Sequence, residues 1–161
     1  MKIAVAGGTG VVGRQVVELA RARGHEPAVL SRGTGVDLRD EPAVAGALEG
    51  ADAVVDTANS FTFSGKRATA FFTEVTDRLS RLGAQAGAAR LVVLSIVGID
   101  RGDAAYYRAK LVQEQTARAG PLALTIVRAT QFHEFPGQIL DRSSLGPLAA
   151  VPTMTIQPIA A

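Results

Sequence analysis

Short apolar runs alternate along this chain with longer segments in which apolar residues recur every three or four positions. The short runs, such as AVV at 53–55, are apolar at successive positions, which is typical of strands in a parallel sheet covered on both faces. The longest periodic segment places Phe72, Val75 and Leu79 on one helix face. The pattern predicts strands near 2–6, 27–31, 36–38, 52–57, 90–95 and 122–128, and helices near 11–23, 40–49, 66–86 and 104–119.

Strands and helices that alternate at this spacing predict an α/β fold with a doubly wound parallel sheet. A chain of 161 residues is expected to form one domain. Both nucleotide-binding halves of such a sheet are complete within residues 1–128. Residues 129–161 hold four of the seven prolines, with one short helix predicted near 133–143 and a strand-like segment at 157–161. We interpret them as the start of a substrate-side segment that is truncated.

The segment IAVAGGTGVVG at residues 3–13 leads from the first strand through a glycine-rich turn into the first helix. Gly7 permits a tight turn, Gly10 lets the backbone approach a pyrophosphate, and Gly13 lets the helix pack closely on the sheet. The pyrophosphate would bind the free N–H groups at the helix N-terminus. The pattern therefore indicates a dinucleotide site; a purely structural glycine turn is the alternative.

Composition restricts the class of function. The net charge is only +2, the basic residues form no dense run and aromatic residues are few, which argues against nucleic-acid binding. No apolar run approaches the ~20 residues that cross a membrane. The chain has no cysteine, which excludes disulfides, thiolate catalysis and cysteine-ligated zinc. Because the first strand follows Met1 and Lys2 directly, we expect no signal peptide and a cytoplasmic location.

The residues after the second predicted strand indicate which nucleotide binds. NAD-binding sheets usually carry an acidic residue there, which bonds the ribose hydroxyls. This chain has Ser31 and Arg32 instead. A hydroxyl and a guanidinium would hold a 2′-phosphate that a carboxylate would repel. The sequence therefore favours NADP(H) over NAD(H); in the alternative interpretation Arg32 is a solvent-facing loop residue.

Further cofactor-binding candidates follow two other predicted strands. Asp37 and Leu38 end the short strand, and Asp37 either contacts the adenine amino group or caps the following helix. Thr57 and Ala58 are small enough to let a ribose lie close to the strand end. Asn59 either hydrogen-bonds the nicotinamide side or is an ordinary turn residue.

Candidate acid–base residues occur late in the chain. Ser95 closes a strand, and Tyr106 and Lys110 lie four residues apart on one face of the next helix. A lysine ammonium and an oxidised nicotinamide near the phenol would lower its pKa from about 10, so that it could exchange a proton with a carbonyl oxygen. Tyr107 is a rival for this role. The structural alternative is a packed tyrosine beside an exposed lysine.

Taken together, five segments resemble the atypical, NmrA-like branch of the short-chain dehydrogenase/reductase superfamily. They are GGTGVVG at 7–13, SR at 31–32, LSIVG at 94–98, YYRAK at 106–110 and VRATQFHEF at 127–135. The resemblance extends over essentially the whole chain. It implies a Rossmann-type fold and NAD(P)H binding through Gly7, Thr9, Gly10, Val11, Val12, Ser31 and Arg32.

The resemblance also assigns the chemistry. Tyr106 and Lys110 match the superfamily's active-site pair, whereas its substrate-orienting hydroxyl usually lies just beyond the strand end, where this chain has no serine. Ser95 is therefore a weaker match. Gln131 and His133 lie where the family places substrate-side residues, and no metal site is predicted because the histidine lacks a set of ligands.

Relatives of this type continue past the point where this chain ends, so an exposed sheet flank and homo-oligomer formation are expected. The resulting hypothesis is an NAD(P)H-dependent oxidoreductase that transfers hydride to a small carbonyl, quinone or similar acceptor. Tyr106 would be the acid–base group, Lys110 its electrostatic partner and Ser95 a positioning residue. The alternatives are a non-catalytic NADP(H)-binding redox sensor or interaction domain, and a folded remnant without activity.

Overall fold

A computed structural model shows the arrangement of these elements and describes residues 1–60, 62, 64–134, 137, 140, 144–145, 148–149 and 158–160. Five parallel strands form the central sheet, in the spatial order second, first, third, fourth, fifth. This order reverses between the first and third strands, which is where open α/β sheets bind their ligands. The strands are β1 (Lys2–Ala6), β2 (Glu26–Leu30), β3 (Ala53–Asp56), β4 (Arg90–Ile96) and β5 (Ala123–Ala129).

Four helices connect the strands. They are α1 (Val11–Ala22), α2 (Glu41–Leu48), α3 (Gly65–Gln85) and α4 (Ala105–Ala119). Right-handed crossovers place α1 on one face of the sheet and the other three on the opposite face. In agreement, α3 packs against both α2 and α4, whereas α1 packs chiefly against β1 and β2. The doubly wound α/β fold is thus confirmed.

The predicted periodicity of the long helix is also confirmed. Phe72, Val75 and Leu79 are each 1% exposed and face the sheet from α3. The prediction of two covered faces holds less well for β4. Leu91 and Val93 are fully buried beneath the α3–α4 layer, whereas the alternate side chains of this strand are only half-buried. The reason is that α1 alone, among the four helices, covers that face of the sheet.

The prediction of a short strand at 36–38 is wrong. A 3₁₀ helix at Arg32–Thr34 follows β2, and Gly35 ends it in the left-handed conformation, with φ of 82°. The Val36 N–H then donates back to the Ser31 carbonyl, at 2.9 Å. This turn consumes the backbone groups that a strand would need for pairing. The apolar signal at these positions comes instead from Leu38, whose side chain is buried in the main core.

The chain after β5 is described only in part. Residues 144–145 and 148–149 form two short antiparallel strands, β6 (Ser144–Leu145) and β7 (Leu148–Ala149). Ile159 pairs in parallel with Phe132, so part of the predicted strand-like segment returns to the region beside β5. Most of the helix predicted near 133–143 lies outside the described residues. Among those described, no helix is long and apolar enough to cross a membrane.

Candidate functional site

The glycine-rich turn lies at the carboxyl edge of the sheet, between β1 and β3. Gly7 has a φ of +73°, and its N–H donates to the Leu30 carbonyl at 2.9 Å, which ties the turn to the end of β2. A Cβ atom on Gly7 would lie 2.9 Å from the Ala58 backbone and from the Thr57 carbonyl oxygen. Only glycine fits this position, both because φ is positive and because the next strand end is in contact.

The next two glycines place the start of α1. Gly10 is the N-cap of the helix, and its N–H donates to the Gly7 carbonyl at 2.8 Å. A Cβ on Gly13 would lie 2.2 Å from that same carbonyl oxygen, so the helix can approach the turn only with glycine there. Val11, Val12 and Gly13 form the first turn, whose N–H groups have no acceptor within the helix. This cradle fits the pyrophosphate of a dinucleotide.

A second loop joins this edge after β2. Ser31 is buried, and its hydroxyl lies 3.3 Å from that of Thr34, so it stabilises the 3₁₀ helix from within. Arg32 is exposed. A Cβ on Gly33 would lie 4.0 Å from the Thr9 methyl, which shows that this loop borders the glycine turn. Of the two predicted phosphate-binding side chains, the structure leaves Arg32 directed to solvent and engages Ser31 internally.

The structure gives Asp37 and Leu38 local roles. The Asp37 carboxylate accepts the Arg39 N–H at 2.9 Å, within the turn that follows the 3₁₀ helix. The cap of α2 is Asp40, so the interpretation of Asp37 as the helix cap is wrong by three residues. The Leu38 side chain is in the core, and its carbonyl accepts a hydrogen bond from Arg78 at 2.9 Å. Contact of Asp37 with adenine stays a prediction.

The residues that follow β3 connect the glycine turn to the rest of the site. The Thr57 N–H and hydroxyl both donate to the Ala6 carbonyl, at 3.0 and 2.8 Å, so this side chain is turned toward the sheet. Ala58 lies directly against Gly7. Asn59 is exposed at the sheet edge. The predicted proximity of these small residues to the glycine turn is therefore present.

Tyr106 reaches the same strand end from α4. Its hydroxyl donates to Asn59 Oδ1 at 2.7 Å, and its ring packs edge-on against Phe72, with centroids 5.8 Å apart. Burial raises the pKa of Tyr106 to about 12, although the hydrogen bond with Asn59 acts to lower it. The rival Tyr107 packs on Gly102, where a Cβ would lie 2.6 Å from its ring. Only Tyr106 therefore faces the cofactor-binding edge.

Lys110 shares a helix face with Tyr106, as the spacing predicts, but the two polar ends do not meet. The Lys110 ammonium lies 4.7 Å from the centre of the Phe72 ring, which also contacts Tyr106. It donates to the Leu94 carbonyl at 2.7 Å and to Gln113 Oε1. Burial lowers the pKa of Lys110 to about 8. The predicted lowering of the Tyr106 pKa by this lysine is thus absent from this arrangement.

Ser95 hydrogen-bonds a different partner from that of Tyr106. It is 2% exposed, and its hydroxyl donates to Glu114 Oε1 at 2.6 Å. The Glu114 carboxylate also accepts two hydrogen bonds from Arg128 and one from Arg118. The hydrogen bonds from Arg128 are the largest cause that lowers the pKa of Glu114, to about 2. The structure therefore does not bring Ser95 together with the other two predicted catalytic residues.

The buried polar residues that hydrogen-bond on and around α4 were not predicted from the sequence. Asp56, Thr76, Gln113 and Glu114 are each at most 1% exposed and are joined to other polar groups by hydrogen bonds. A carboxylate that ends an apolar strand is one signal for Asp56. The helical spacing of Gln113 and Glu114 from Lys110 is a weaker signal, because glutamine and glutamate on a helix usually face solvent.

The substrate-side candidates lie beside the returning chain. The His133 N–H donates to the Ile159 carbonyl at 3.0 Å, and the Ile159 N–H donates to the Gln131 carbonyl at 2.9 Å. These contacts involve backbone atoms, so the roles of both side chains stay predictions. Across the part of the chain that the structure describes, no group of acidic residues and histidines is arranged to hold a metal ion.

Comparison with known proteins places this geometry in a family. A family model described as NAD(P)H-binding matches residues 7–146, from the first glycine of the turn to beyond β5. The chain belongs to this NAD(P)H-binding family. The match confirms the nucleotide class that the glycine turn predicts. No curated protein matches the chain significantly.

Solved structures show the same fold. A short-chain dehydrogenase/reductase superfamily protein from Agrobacterium tumefaciens, solved with bound NAD, matches with a TM-score of 0.71 at 26% identity, covering 89% of this chain and 53% of that chain. WbmG from Bordetella bronchiseptica, in complex with NAD, gives 0.70 at 17% identity, with 82% and 54% covered. UDP-N-acetylglucosamine 4-epimerase from Bacillus cereus gives 0.67 at 23%, with 83% and 56% covered.

The family match and the likeness to the Agrobacterium protein confirm the predicted relationship of this NAD(P)H-binding chain to NmrA-like and other short-chain dehydrogenase/reductase proteins. The two neighbours below 25% identity establish the fold alone. The chain spans about half the length of these solved structures. The fold is that of an NAD(P)H-binding oxidoreductase, whereas the preferred dinucleotide and the acceptor are matters for a proposal.

Proposed function

We propose that this chain is the nucleotide-binding part of an NADPH-preferring oxidoreductase that reduces a small carbonyl, quinone or similar acceptor. One observation carries the proposal: Ala58 lies against Gly7 of the glycine turn, and the adjacent Asn59 accepts the Tyr106 hydroxyl. The predicted cofactor-binding turn and the predicted acid are therefore joined by two consecutive residues. The structural likeness to a short-chain dehydrogenase/reductase superfamily protein with bound NAD supports the binding of a nicotinamide dinucleotide.

The chemistry assigned to the protein is a proton transfer. The hydride would come from the dihydronicotinamide of a cofactor held at the glycine turn. Tyr106 gives its hydroxyl proton to the acceptor oxygen, so that an alcohol forms and a phenolate remains until solvent reprotonates it. Because burial raises the pKa of Tyr106 to about 12, the phenol keeps its proton at neutral pH. In this protonated form the phenol can serve as the acid in acceptor reduction.

The preference for NADPH rests on the residue next to β2. Arg32 is exposed there, and Ser31 takes the place of the carboxylate that would repel a 2′-phosphate. A guanidinium binds phosphate through paired, charge-assisted hydrogen bonds. Because the Ser31 hydroxyl is engaged with Thr34, Arg32 carries most of the proposed discrimination.

A calorimetric titration with NADPH and with NADH tests this proposal. We expect NADPH to bind at least about tenfold more tightly, since one charge-assisted contact contributes about 1.5 kcal/mol or more. Arg32→Gln should remove this difference by weakening NADPH alone. Arg23→Gln, which removes an exposed arginine at the far end of α1, is the charge-matched control. Equal binding of both dinucleotides would disprove the preference, and no binding would favour a remnant without activity.

The second candidate is a redox sensor that binds NADP(H) without turnover. The orientation of Ser95 favours it, because the hydroxyl expected to position a substrate is bound to Glu114 instead. An enzyme should oxidise NADPH in the presence of some carbonyl or quinone acceptors, and Tyr106→Phe should lose this turnover while keeping NADPH affinity. A sensor should show no turnover and should distinguish NADP⁺ from NADPH.

Location and assembly also remain proposals. The lack of cysteine is compatible with a cytoplasmic location. The half-buried face of β4 on the α1 side supports association with further protein surface, and a homo-oligomer is one form of it. A small-molecule acceptor is the other expected partner.

A further inference from the structure

Lys110 is a cation buried inside the α3–α4 layer. It is 5% exposed, and its ammonium contacts the Leu94 carbonyl, Gln113 Oε1 and the Phe72 ring. Two of its three N–H groups thus donate hydrogen bonds to described residues. A buried ammonium is costly unless an opposite charge and hydrogen-bond acceptors compensate for lost water.

The opposite charge comes from Asp56, the last residue of β3. Asp56 is 1% exposed, and its carboxylate accepts hydrogen bonds from the Ala58 N–H, the Thr76 hydroxyl and Gln113 Nε2, each at 3.0 Å. All three partners are donors. A carboxylate surrounded by donors is stabilised in its ionised form. Burial acts in the opposite direction and raises the pKa of Asp56, and the Lys110 charge counters that effect.

Gln113 joins the two charges with a fixed polarity. Its Nε2 donates to Asp56, while its Oε1 accepts from Lys110. The reverse orientation would direct the amide N–H groups at an ammonium and the amide oxygen at a carboxylate, so only one orientation satisfies both ends. The side chain also donates to Thr76, at 3.1 Å. The amide is therefore held from β3, α3 and α4 at once.

The connection continues to the glycine turn. Ala58, whose N–H binds Asp56, is also the residue against which Gly7 packs. We propose that Asp56, acting through Gln113, is a positioning residue that keeps Lys110 charged and holds its ammonium beside the Phe72 ring and the Leu94 carbonyl. This inference rests on the proposed function and extends it by assigning the buried counter-ion of the active-site lysine.

The charged groups near Lys110 are few enough for a clear test. Asp56 on β3 and Glu114 on α4 are the acidic groups that act on it, whereas α3 contributes the uncharged Thr76 and Phe72. Glu114 is already engaged by Arg118 and Arg128. Loss of the Asp56 charge should therefore change the protonation of Lys110 directly.

The chain has only three lysines, Lys2, Lys66 and Lys110, so a titration of isotopically labelled lysine by NMR resolves each one. Lys2→Arg and Lys66→Arg assign the signals. In the unchanged chain Lys110 should titrate with a pKa of about 8. Asp56→Asn should lower that pKa by about one to two units, because an opposite charge is lost. An unchanged or raised pKa would overturn the proposal.

Two further variants keep the test decisive. Thr76→Val removes one hydrogen bond from the Asp56 carboxylate but leaves its charge, so it should shift the Lys110 pKa by less than about half a unit. If Asp56→Asn does not fold, Gln113→Met breaks the bridge while preserving the volume. It should also lower the Lys110 pKa, and a pKa equal to that of the unchanged chain would then refute the role of the bridge.

NADP⁺ affinity separates this proposal from the proposed function. In Asp56→Asn, the affinity should fall about two- to tenfold at about pH 7, in proportion to the lost charge on Lys110, and recover at about pH 5.5, where Lys110 regains its proton. A merely structural defect would not recover with acid, and an affinity loss independent of pH would therefore contradict the proposal. If NADP⁺ does not bind the unchanged chain at all, the proposed function fails, while the lysine titration still decides the role of Asp56.

Discussion

The glycine turn and the inward face of α4 meet at one edge of the sheet but obtain their properties from different atoms. At the turn, close backbone contacts fix the conformation. Gly7 and Gly13 are required there because any side chain would collide with backbone atoms. On α4, side-chain hydrogen bonds fix the arrangement. Lys110 and Glu114 each hydrogen-bond a residue of a strand that is distant in the chain. The first arrangement tolerates no added atom, whereas the second depends on which partners are present.

The largest expected effect comes from adding one carbon to the turn. Gly13→Ala places a Cβ 2.2 Å from the Gly7 carbonyl oxygen, which must displace either the helix or the turn. We expect a loss of about 3 kcal/mol or more in the free energy of unfolding, measured by urea denaturation, because overpacking against backbone cannot relax by rotamer changes.

Gly46→Ala is the matched control, since it makes the same change inside α2, where a Cβ would meet nothing within 4 Å. It should be neutral or stabilise the chain by up to about 1 kcal/mol through helix propensity. Equal effects of the two substitutions would show that backbone contact does not govern the turn.

A smaller effect is expected on α4. Glu114→Gln keeps the shape but removes the charge that binds Arg118 and Arg128. Hydrogen bonds from Arg128 are the main cause that lowers the Glu114 pKa from 4.5 to about 2, which corresponds to roughly 3 kcal/mol of stability. This contribution is complete above about pH 4.5 and is lost as the pH falls toward 2.

Urea denaturation at several pH values measures this contribution. The difference between the unchanged chain and Glu114→Gln should be constant above about pH 5 and shrink steadily at lower pH. Glu41→Gln is the control, because its exposed ion pair with Arg81 should contribute little. A difference that does not depend on pH would mean that packing, and not the carboxylate charge, is what Glu114 contributes.

The smallest effect concerns the hydrogen bond that links the two regions. An Asn59 amide can accept from the neutral phenol and, after rotation, donate to the phenolate, and a bond to the charged form is the stronger one. Asn59→Leu should therefore raise the pKa of Tyr106 further above about 12, by roughly half a unit to one unit.

Phenolate absorbance can follow this change, since the chain has two tyrosines and no tryptophan. In a Tyr107→Phe background the signal belongs to Tyr106 alone, and at about pH 11 roughly a tenth should be ionised, falling severalfold in Asn59→Leu. Tyr106→Phe with Tyr107 retained supplies the reference curve. A larger phenolate fraction in Asn59→Leu would show that the amide stabilises the neutral phenol instead.

The sequence predicted the backbone elements and the glycine turn well and the side-chain contacts of α4 poorly. The five strands, four helices and the glycine turn were predictable because each leaves a local pattern of period or spacing. The strand predicted at 36–38 is absent because a turn capped by Ser31 and Thr34 stands before these residues, and Leu38, which gives the apolar signal, packs in the core without strand pairing. The common face of Tyr106 and Lys110 was predictable from helical spacing, but the separation of their polar ends was not.

The class of fold, the dinucleotide turn and the candidate acid can be inferred from the amino-acid order, because each depends on residues close together in the chain. The hydrogen-bond partners of Lys110 and Ser95 follow only from the folded chain. Asp56 lies more than fifty residues from Lys110, and Arg128 lies more than thirty from Ser95, yet these residues belong to the same two buried networks. Burial makes such partners obligatory, and only the folded sheet brings them together.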